Sequence, residues 1–341
     1  MKLGLVGSEM CIRDRLVPAD RQSWESHMRD AVRADHPAAA EKGSLDGDMQ
    51  AAMRTLLGGI QSEGAHAVNR RRKQAMKTIR LEDGRLTAVR ERIKAVQPEH
   101  IRTMKQPLNV PLFYCLMEAS GCPDSLEAAA RMACGFEAVG DIAPSGWWEP
   151  DVQPNTAEAA DLDFNAWLDQ LESKIKREAQ DPERAEEAAA VRAKTMAEVQ
   201  EGLMRGPFTR AELNAAYGDG EYFAMHRFGV WQKDKLRGCD NARTSKHNDC
   251  SAIFERLLLE RPDFPAKVCA AMAEMCDALH IPMPEMLSGT DDLKDAYRHV
   301  GTNAPNMTVV ALGAEQGRTD YFTLPGFKFG LTSAVPRVIR V

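Results

Sequence analysis

The chain has 341 residues, of which 44% are hydrophobic and 28% are charged, and its 44 basic and 50 acidic side chains give a formal net charge of −6. This composition is typical of ordinary soluble proteins. The sequence contains no run of 18 uncharged apolar residues, which excludes a membrane-spanning helix. We expect no membrane as partner. The length predicts about two hydrophobic cores.

The cysteine pattern argues against a structural zinc site and against a disulfide framework. The eight cysteines are scattered, and no pair has the spacing Cys-x-x-Cys. Reduced thiols of this kind are typical of the cytoplasm or nucleus, which is the location we expect. Cys239, His247 and Cys250 come nearest to a ligand set, but their spacing matches no zinc module, which favours isolated or buried side chains.

The first 15 residues are left out of the fold prediction. Residues 7–15 read Gly-Ser-Glu-Met-Cys-Ile-Arg-Asp-Arg, which resembles a translated sequencing adapter and lacks the apolar core of a signal peptide. We therefore expect residues 1–15 to be an artefact that replaces the natural start of the protein.

Residues 16–150 show a helical pattern of unknown role that contains one strongly basic stretch. Residues 69–80 carry six cations and no acid, and the run Arg70, Arg71, Arg72 and Lys73 is the densest part. Such a run is suited to contact nucleic-acid phosphates or to serve as a nuclear address. A solvated helix face that acids balance elsewhere is the competing interpretation.

Residues 151–206 are predicted to be a helical lead-in with two helices. Apolar side chains recur at helical spacing within residues 158–180, and a second helix is predicted over residues 182–204. Thr209 and Glu212 form a capping-box pattern for a short third helix. The apolar set of the first helix is Phe164, Trp167, Leu168, Leu171 and Ile175.

After Gly220 the pattern becomes extended. Residues 227–230 and 235–239 predict a hairpin, and strand alternation puts Lys235, Arg237 and Cys239 on one face, where the two cations can converge on a triphosphate. Lys233 and Arg243 add to the local positive charge that suits nucleic acid. A charged solvent face is the alternative interpretation.

The last third of the chain predicts helices and a carboxylate-rich turn. Helices are expected over residues 249–259 and 265–279, the latter with an apolar stripe. A short strand over residues 286–292 then runs into a turn that contains Asp291, Asp292 and Asp295. Carboxylates at a strand end are the oxygen ligands that Mg²⁺ requires.

Three segments of this region resemble motifs of reverse transcriptases, in the family's order. Residues 292–297, Asp-Leu-Lys-Asp-Ala-Tyr, resemble the first catalytic motif. Residues 324–334, Leu-Pro-Gly-Phe-Lys-Phe-Gly-Leu-Thr-Ser-Ala, look like the next motif and follow a predicted strand pair, residues 307–312 and 321–324. Residues 235–243, with Asn248 beyond, are similar to the fingers hairpin. The resemblance covers about residues 195–341 and is closest to retrotransposon enzymes.

The resemblance implies an α+β protein whose residues 207–341 form fingers and a partial palm. The implied reaction adds deoxynucleotides to the 3′ end of a DNA primer on an RNA template, so the implied partners are template, primer and deoxynucleoside triphosphates. Mg²⁺ is the implied cofactor. The implied site residues are Asp292 as catalytic residue and metal ligand, Lys235, Arg237 and Asp295 at the triphosphate, Tyr297 under the sugar, and Phe329 and Gly330 at the base pair.

One family motif is missing from the sequence. The family's Tyr-x-Asp-Asp motif does not occur, and the single Asp-Asp pair, Asp291-Asp292, belongs to the first motif. We therefore expect a fragment truncated within the palm that does not extend a primer. Two alternatives stay open: a non-catalytic remnant that binds nucleic acid, and a helical interaction protein.

Overall fold

A computed structural model describes residues 47–104, 108–233, 235–257, 264–284, 296–314, 317–328 and 330–334. The described chain combines helices with two β-sheets, which confirms the predicted α+β class. Within these ranges no helix is both long enough and apolar enough to cross a bilayer.

The secondary structure follows the chain as ten α-helices, eight strands and three short 3-10 helices within the described residues. The α-helices are α1 (Gly47–Glu63), α2 (Ala65–Arg85), α3 (Thr87–Val96), α4 (Glu99–Arg102), α5 (Val110–Ala119), α6 (Ser125–Cys134), α7 (Phe164–Ala179), α8 (Pro182–Gln200), α9 (Arg210–Tyr217) and α10 (Phe264–Leu279). The strands are β1 (Gly140–Ile142), β2 (Pro150–Gln153), β3 (Arg205–Phe208), β4 (Ala224–Gln232), β5 (Lys235–Asp240), β6 (Ser251–Glu255), β7 (Val309–Gly313) and β8 (Thr319–Thr323). The 3-10 helices are Ala159–Asp161, Ala296–His299 and Pro305–Thr308.

The contacts divide the chain into two compact units. One unit contains the described residues up to Arg72 together with residues 264–284, and the other contains residues 73–257 and 296–334. The segment borders predicted at residues 15, 150 and 206 mark changes in sequence character and stay predictions.

The smaller unit has a core made by α1 and α10. Met53 and Leu57 of α1 pack with Met272 and Cys276 of α10, and all four side chains are buried. These α10 residues belong to the apolar stripe predicted from the sequence. The helix predicted over residues 265–279 is therefore confirmed.

The larger unit is built on a five-stranded sheet with the order β3-β8-β7-β4-β5. Strand β4 runs parallel to β7, and the other pairs are antiparallel. The predicted β4–β5 hairpin and the predicted β7–β8 pair are both confirmed. A second sheet has the order β1-β6-β2, with β1 parallel and β2 antiparallel to β6.

Both faces of the five-stranded sheet are covered. Val309, Ala311 and Tyr321 point to one face, where α7 packs. Val310 and Phe322 point to the other face, toward α5, α6 and the segment after β8. Successive strand residues point to opposite faces, so a strand that is covered on both sides is apolar throughout.

The helical lead-in forms as predicted. Helices α7 and α8 lie within the predicted ranges, and Leu168, Leu171 and Ile175 of α7 are buried. Thr209 and Glu212 make both hydrogen bonds of the capping box at the start of α9.

The helix predicted over residues 249–259 is wrong, because residues 251–255 form strand β6. Strand β6 lies in the middle of its sheet, between β1 and β2. Its backbone groups therefore find partners on both sides, in a segment about 100 residues upstream. Pairing with these distant strands outweighs the local preference of residues 251–255 for a helix.

We expect Leu168→Ala to lower the free energy of unfolding of the larger unit by about 2–5 kcal/mol, because it leaves a cavity in a fully buried position of α7. Urea unfolding followed by tryptophan fluorescence measures the change. The matched control is Leu126→Ala, since Leu126 is 70% exposed. An equal effect of the two substitutions would contradict the packing described here.

Candidate functional site

The β4–β5 hairpin presents two faces of different character. Val230 pairs with Arg237, and Gln232 pairs with Lys235, so Lys235 and Arg237 share a face as the sequence predicted. Both side chains are exposed. Lys233 lies in the turn with a positive φ of 56° and is exposed as well. The exposed face of the hairpin therefore carries a row of cations.

The other face of the hairpin carries a buried ionic cluster. Arg227 of β4 lies opposite Asp240 of β5, and their side chains are 1% and 4% exposed. Glu198 of α8 accepts two hydrogen bonds from Arg227, at 2.8 and 2.9 Å, and one from Arg298 at 3.2 Å. Burial alone would lower the pKa of Arg227, but Asp240 and Glu198 raise it above its ordinary value.

A glycine makes room for the buried guanidinium. A Cβ atom on Gly238 of β5 would lie 2.7 Å from an Nη atom of Arg227, which is closer than real Cβ contacts. A larger residue at position 238 would therefore require the Arg227 side chain or the strand to shift. The absence of a side chain at Gly238 thus leaves space for the guanidinium of Arg227 on the covered face of the hairpin.

Lys328, in the middle of the Leu-Pro-Gly-Phe-Lys-Phe-Gly segment, belongs to the same cluster. The residue is fully buried, and within the described chain its Nζ has no hydrogen-bond partner. Burial lowers the pKa of Lys328 well below its ordinary value; Asp240 opposes this shift, while Arg298 and Arg227 add to it.

The segments that resemble family motifs are bonded to one another. The side chain of Asn248 donates a hydrogen bond to the carbonyl of Gly330 (3.1 Å) and accepts one from the amide of Thr332 (2.8 Å). The amide of Phe327 donates to the carbonyl of Val300, and that of Thr302 to the carbonyl of Pro325. The hairpin region, the segment behind the first motif and the second motif therefore meet in one place.

The predicted site residues are only partly described. Tyr297 is half-buried in the 3-10 helix Ala296–His299 and packs against the core. Gly330 is exposed with a φ of 104°, a conformation that favours glycine. Arg243 is exposed. The predicted strand over residues 286–292 and the residues Asp291, Asp292, Asp295 and Phe329 lie outside the described residues.

The basic run of residues 70–73 lies on α2, away from the hairpin in sequence. Arg70, Arg71, Arg72 and Lys73 are all exposed. Arg71 pairs with Glu63 at 2.8 Å. The helix predicted for this region is present.

Sequence analysis missed the members of the ionic cluster. Arg227 and Asp240 were given no role there, although alternation in a hairpin places both on the face opposite Lys235. Lys328 was considered only as part of the segment that resembles the second motif. Glu198 and Arg298 carried no local signal.

His247, which the sequence grouped with Cys239 and Cys250, is a buried structural residue. One ring nitrogen is hydrogen-bonded to Ser245 Oγ (2.7 Å) and the other to the carbonyl of Met307 (3.0 Å). The ring stacks on Phe223 with centroids 3.9 Å apart. Burial lowers the pKa of His247 to about 3, and the positive charge of Lys328 contributes. Both nitrogens are thus engaged within the protein.

A cavity of about 350 Å³ lies against α7, α8, β4 and β7. Its most distinctive contact joins His226 Nε2 to an oxygen of Glu178 at 3.2 Å. Burial opposes ionisation of Glu178, but the hydrogen bond and charge of His226 bring its pKa below the ordinary value. Arg184 also pairs with Glu178, at 2.9 Å. This carboxylate is therefore committed to contacts within the protein.

Comparisons of the chain with protein-family models, with curated proteins and with solved structures give no match. The function proposed below therefore depends on this chain's own residues.

Protonation of His247 is expected to destabilise the fold in acid. Its pKa is lower in the folded than in the unfolded chain, so stability is full above about pH 6.5 and is lost as the pH falls toward 3. Between pH 7 and pH 5 the wild type should lose about 2 kcal/mol more than His247→Gln. Urea unfolding at both values measures this, with the exposed His66→Gln as control. Parallel losses in all three proteins would contradict a buried neutral imidazole.

We expect Lys328→Met to raise the free energy of unfolding at pH 7 by about 1–4 kcal/mol, the range for replacing buried charged groups with apolar side chains. The folded pKa of Lys328 lies below the unfolded value, so its penalty is largest at low pH and shrinks as the pH rises toward 10.5. The gain should therefore be smaller at pH 10 than at pH 7. Urea unfolding tests this against the exposed Lys94→Met. A less stable variant at pH 7 would show that the Lys328 charge is stabilising.

Proposed function

We propose that this chain is part of an RNA-directed DNA polymerase of the retrotransposon type, with fingers and a partial palm in residues 207–341. The observation that carries the proposal is the joining of the motif segments. Asn248, behind the hairpin, holds Gly330 and Thr332 of the second motif, and residues 300–302 pair with residues 325–327. Segments that act on one substrate have to meet in this way.

Lys235 and Arg237 are proposed to bind the triphosphate of the incoming deoxynucleotide. The two residues are two positions apart on one face of a strand, which separates their Cα atoms by about 7 Å. Arginine can contact phosphate oxygens through two N–H groups at once, and lysine supplies a mobile point charge. Because both side chains are exposed, a ligand reaches them without displacing the core.

Tyr297 and Gly330 are proposed to line the remainder of the nucleotide site, together with Phe329 and Asp295. Tyr297 directly precedes Arg298, whose guanidinium is held by Glu198. The ionic cluster thereby limits how far the tyrosine can move relative to the hairpin. The carbonyl of Gly330 is held by Asn248. Lys233 and Arg243 are proposed to contact the backbone of the RNA template or DNA primer.

Asp292, which lies outside the described residues, is proposed to be the catalytic residue and the ligand of Mg²⁺. When bound, the ions would neutralise charge on the attacking and leaving oxygens of nucleotide transfer. The described carboxylates near the motifs, Asp240 and Glu198, face arginines instead. No group of three or more potential ligands occurs among the described residues. Lys235 and Arg237 are therefore proposed to bind and orient the triphosphate.

The test is binding of a fluorescent deoxynucleoside triphosphate to the full chain. We expect Lys235→Ala combined with Arg237→Ala to weaken binding by at least about tenfold, because each contact between charged groups contributes about 1.5–3 kcal/mol. Lys176→Ala with Arg177→Ala is the matched control, since these exposed cations lie on α7 and remove the same charge.

Two results would contradict the proposal. One is an equal loss of affinity in both double variants, which would indicate a general effect of net charge. The other is no measurable binding by the wild type. The location that we propose, cytoplasm or nucleus, is open to a separate test by imaging of the tagged protein.

A further inference from the structure

Helix α2 contains a stretch that packing does not explain. All ten residues from position 69 to position 78 are exposed, on every side of the helix. The sequence has no acidic residue between Gly64 and Leu81. A helix that is polar all round gains little from a core, so such a stretch requires another reason for its composition.

The cations of α2 are concentrated on one side. Lys73, Lys77 and Arg80 are four and three residues apart, and Arg70 continues the row by three, so at about 100° per residue all four fall within about 80° around the axis. We call these four residues the basic stripe. Val68, the one buried residue of α2, lies on the opposite side. The basic stripe is about 15 Å long at 1.5 Å per residue.

The basic stripe differs from Arg71 and Arg85 of α2 in its partners. Arg71 pairs with Glu63 at 2.8 Å, and Arg85 pairs with Glu82 at 2.5 Å. Throughout the described ranges, no carboxylate pairs with any residue of the basic stripe. Four exposed cations in a row, in a chain of net charge −6, are complementary to an extended polyanion.

We propose that the basic stripe binds the phosphate backbone of a nucleic-acid duplex without reading its sequence. A duplex carries one phosphate charge per about 1.7 Å of its axis, so enough phosphates lie alongside a stripe of about 15 Å for each of the four cations to contact one. Helix α2 contains no Phe, Tyr or Trp, and proteins that hold single strands use such side chains as stacking platforms. The proposal goes beyond the polymerase and holds whether or not the hairpin binds nucleotides.

The test measures anisotropy of a labelled duplex of about 20 base pairs, in two unrelated sequences, with the full chain. The stripe variant carries Lys73→Gln, Lys77→Gln and Arg80→Gln. The matched control carries Arg71→Gln, Arg72→Gln and Arg85→Gln, which lie on the same helix and remove the same charge. Glutamine is nearly as good a helix former as lysine and arginine.

Salt dependence provides the quantitative expectation. Four phosphate contacts contribute about −3.6 to the slope of log affinity against log salt, so raising salt from about 50 to about 200 mM should weaken wild-type binding at least about 150-fold. The stripe variant loses three of these contacts, so its slope should be less steep than the wild-type slope by about 2.7. The control should behave as the wild type does, with equal affinity for both duplex sequences.

Four results would overturn the proposal: no duplex binding by the wild type at low salt, equal losses in the stripe variant and the control, a preference for single strands, or a preference for one duplex sequence. Circular dichroism checks that the helix persists. If the stripe variant unfolds, the charge-conserving variant with Lys73→Arg, Lys77→Arg and Arg80→Lys decides the matter. Retention of the wild-type slope supports the proposal, and loss of duplex binding in that variant overturns it.

Discussion

The larger unit depends on the burial of one guanidinium. Arg227 is 1% exposed, and a buried charge without a counterion costs several kcal/mol. Glu198 is the counterion of both Arg227 and Arg298. Helix α8, the base of the hairpin and the segment behind the first motif therefore have to lie in one arrangement. Small shifts of any of the three would leave a charge without its partner.

This constraint explains how one hairpin serves two purposes. Strand alternation sends Arg227, Gly238 and Asp240 toward the covered face, where they fix the position of the hairpin. The same alternation sends Lys235 and Arg237 to solvent. Rigid support on one face and free cations on the other are what a phosphate-binding element needs, because binding then orders few additional groups.

The two proposed cationic sites differ in their physics. The hairpin site is short, is supported by a packed sheet and suits a compact triphosphate. The basic stripe is long, lies on a helix with one buried residue and suits a polymer with regularly spaced charges. Affinity at the basic stripe comes mainly from released counterions, so ionic strength controls it. Lys328 contributes to neither site, since its amine lies in the interior.

The sequence by itself determined the elements whose signals are local. The apolar spacing of α7, the cap formed by Thr209 and Glu212, the β4–β5 hairpin and the β7–β8 pair are all encoded within a few residues of one another. The shared face of Lys235 and Arg237 follows from the two-residue period of a strand. The cations of α2 were likewise visible as a run in the sequence.

Tertiary structure alone decided the rest. Strand β6 was missed because its partners β1 and β2 lie about 100 residues away. The ionic cluster was missed for the same reason, since Glu198 is 29 residues from Arg227 and 100 from Arg298. A charged side chain becomes buried only when distant segments pack together. The free-energy cost of leaving that charge without a partner therefore arises only in the folded core. The order of charged residues in a sequence therefore does not distinguish a buried arginine that stabilises the fold from an exposed arginine that can bind a ligand.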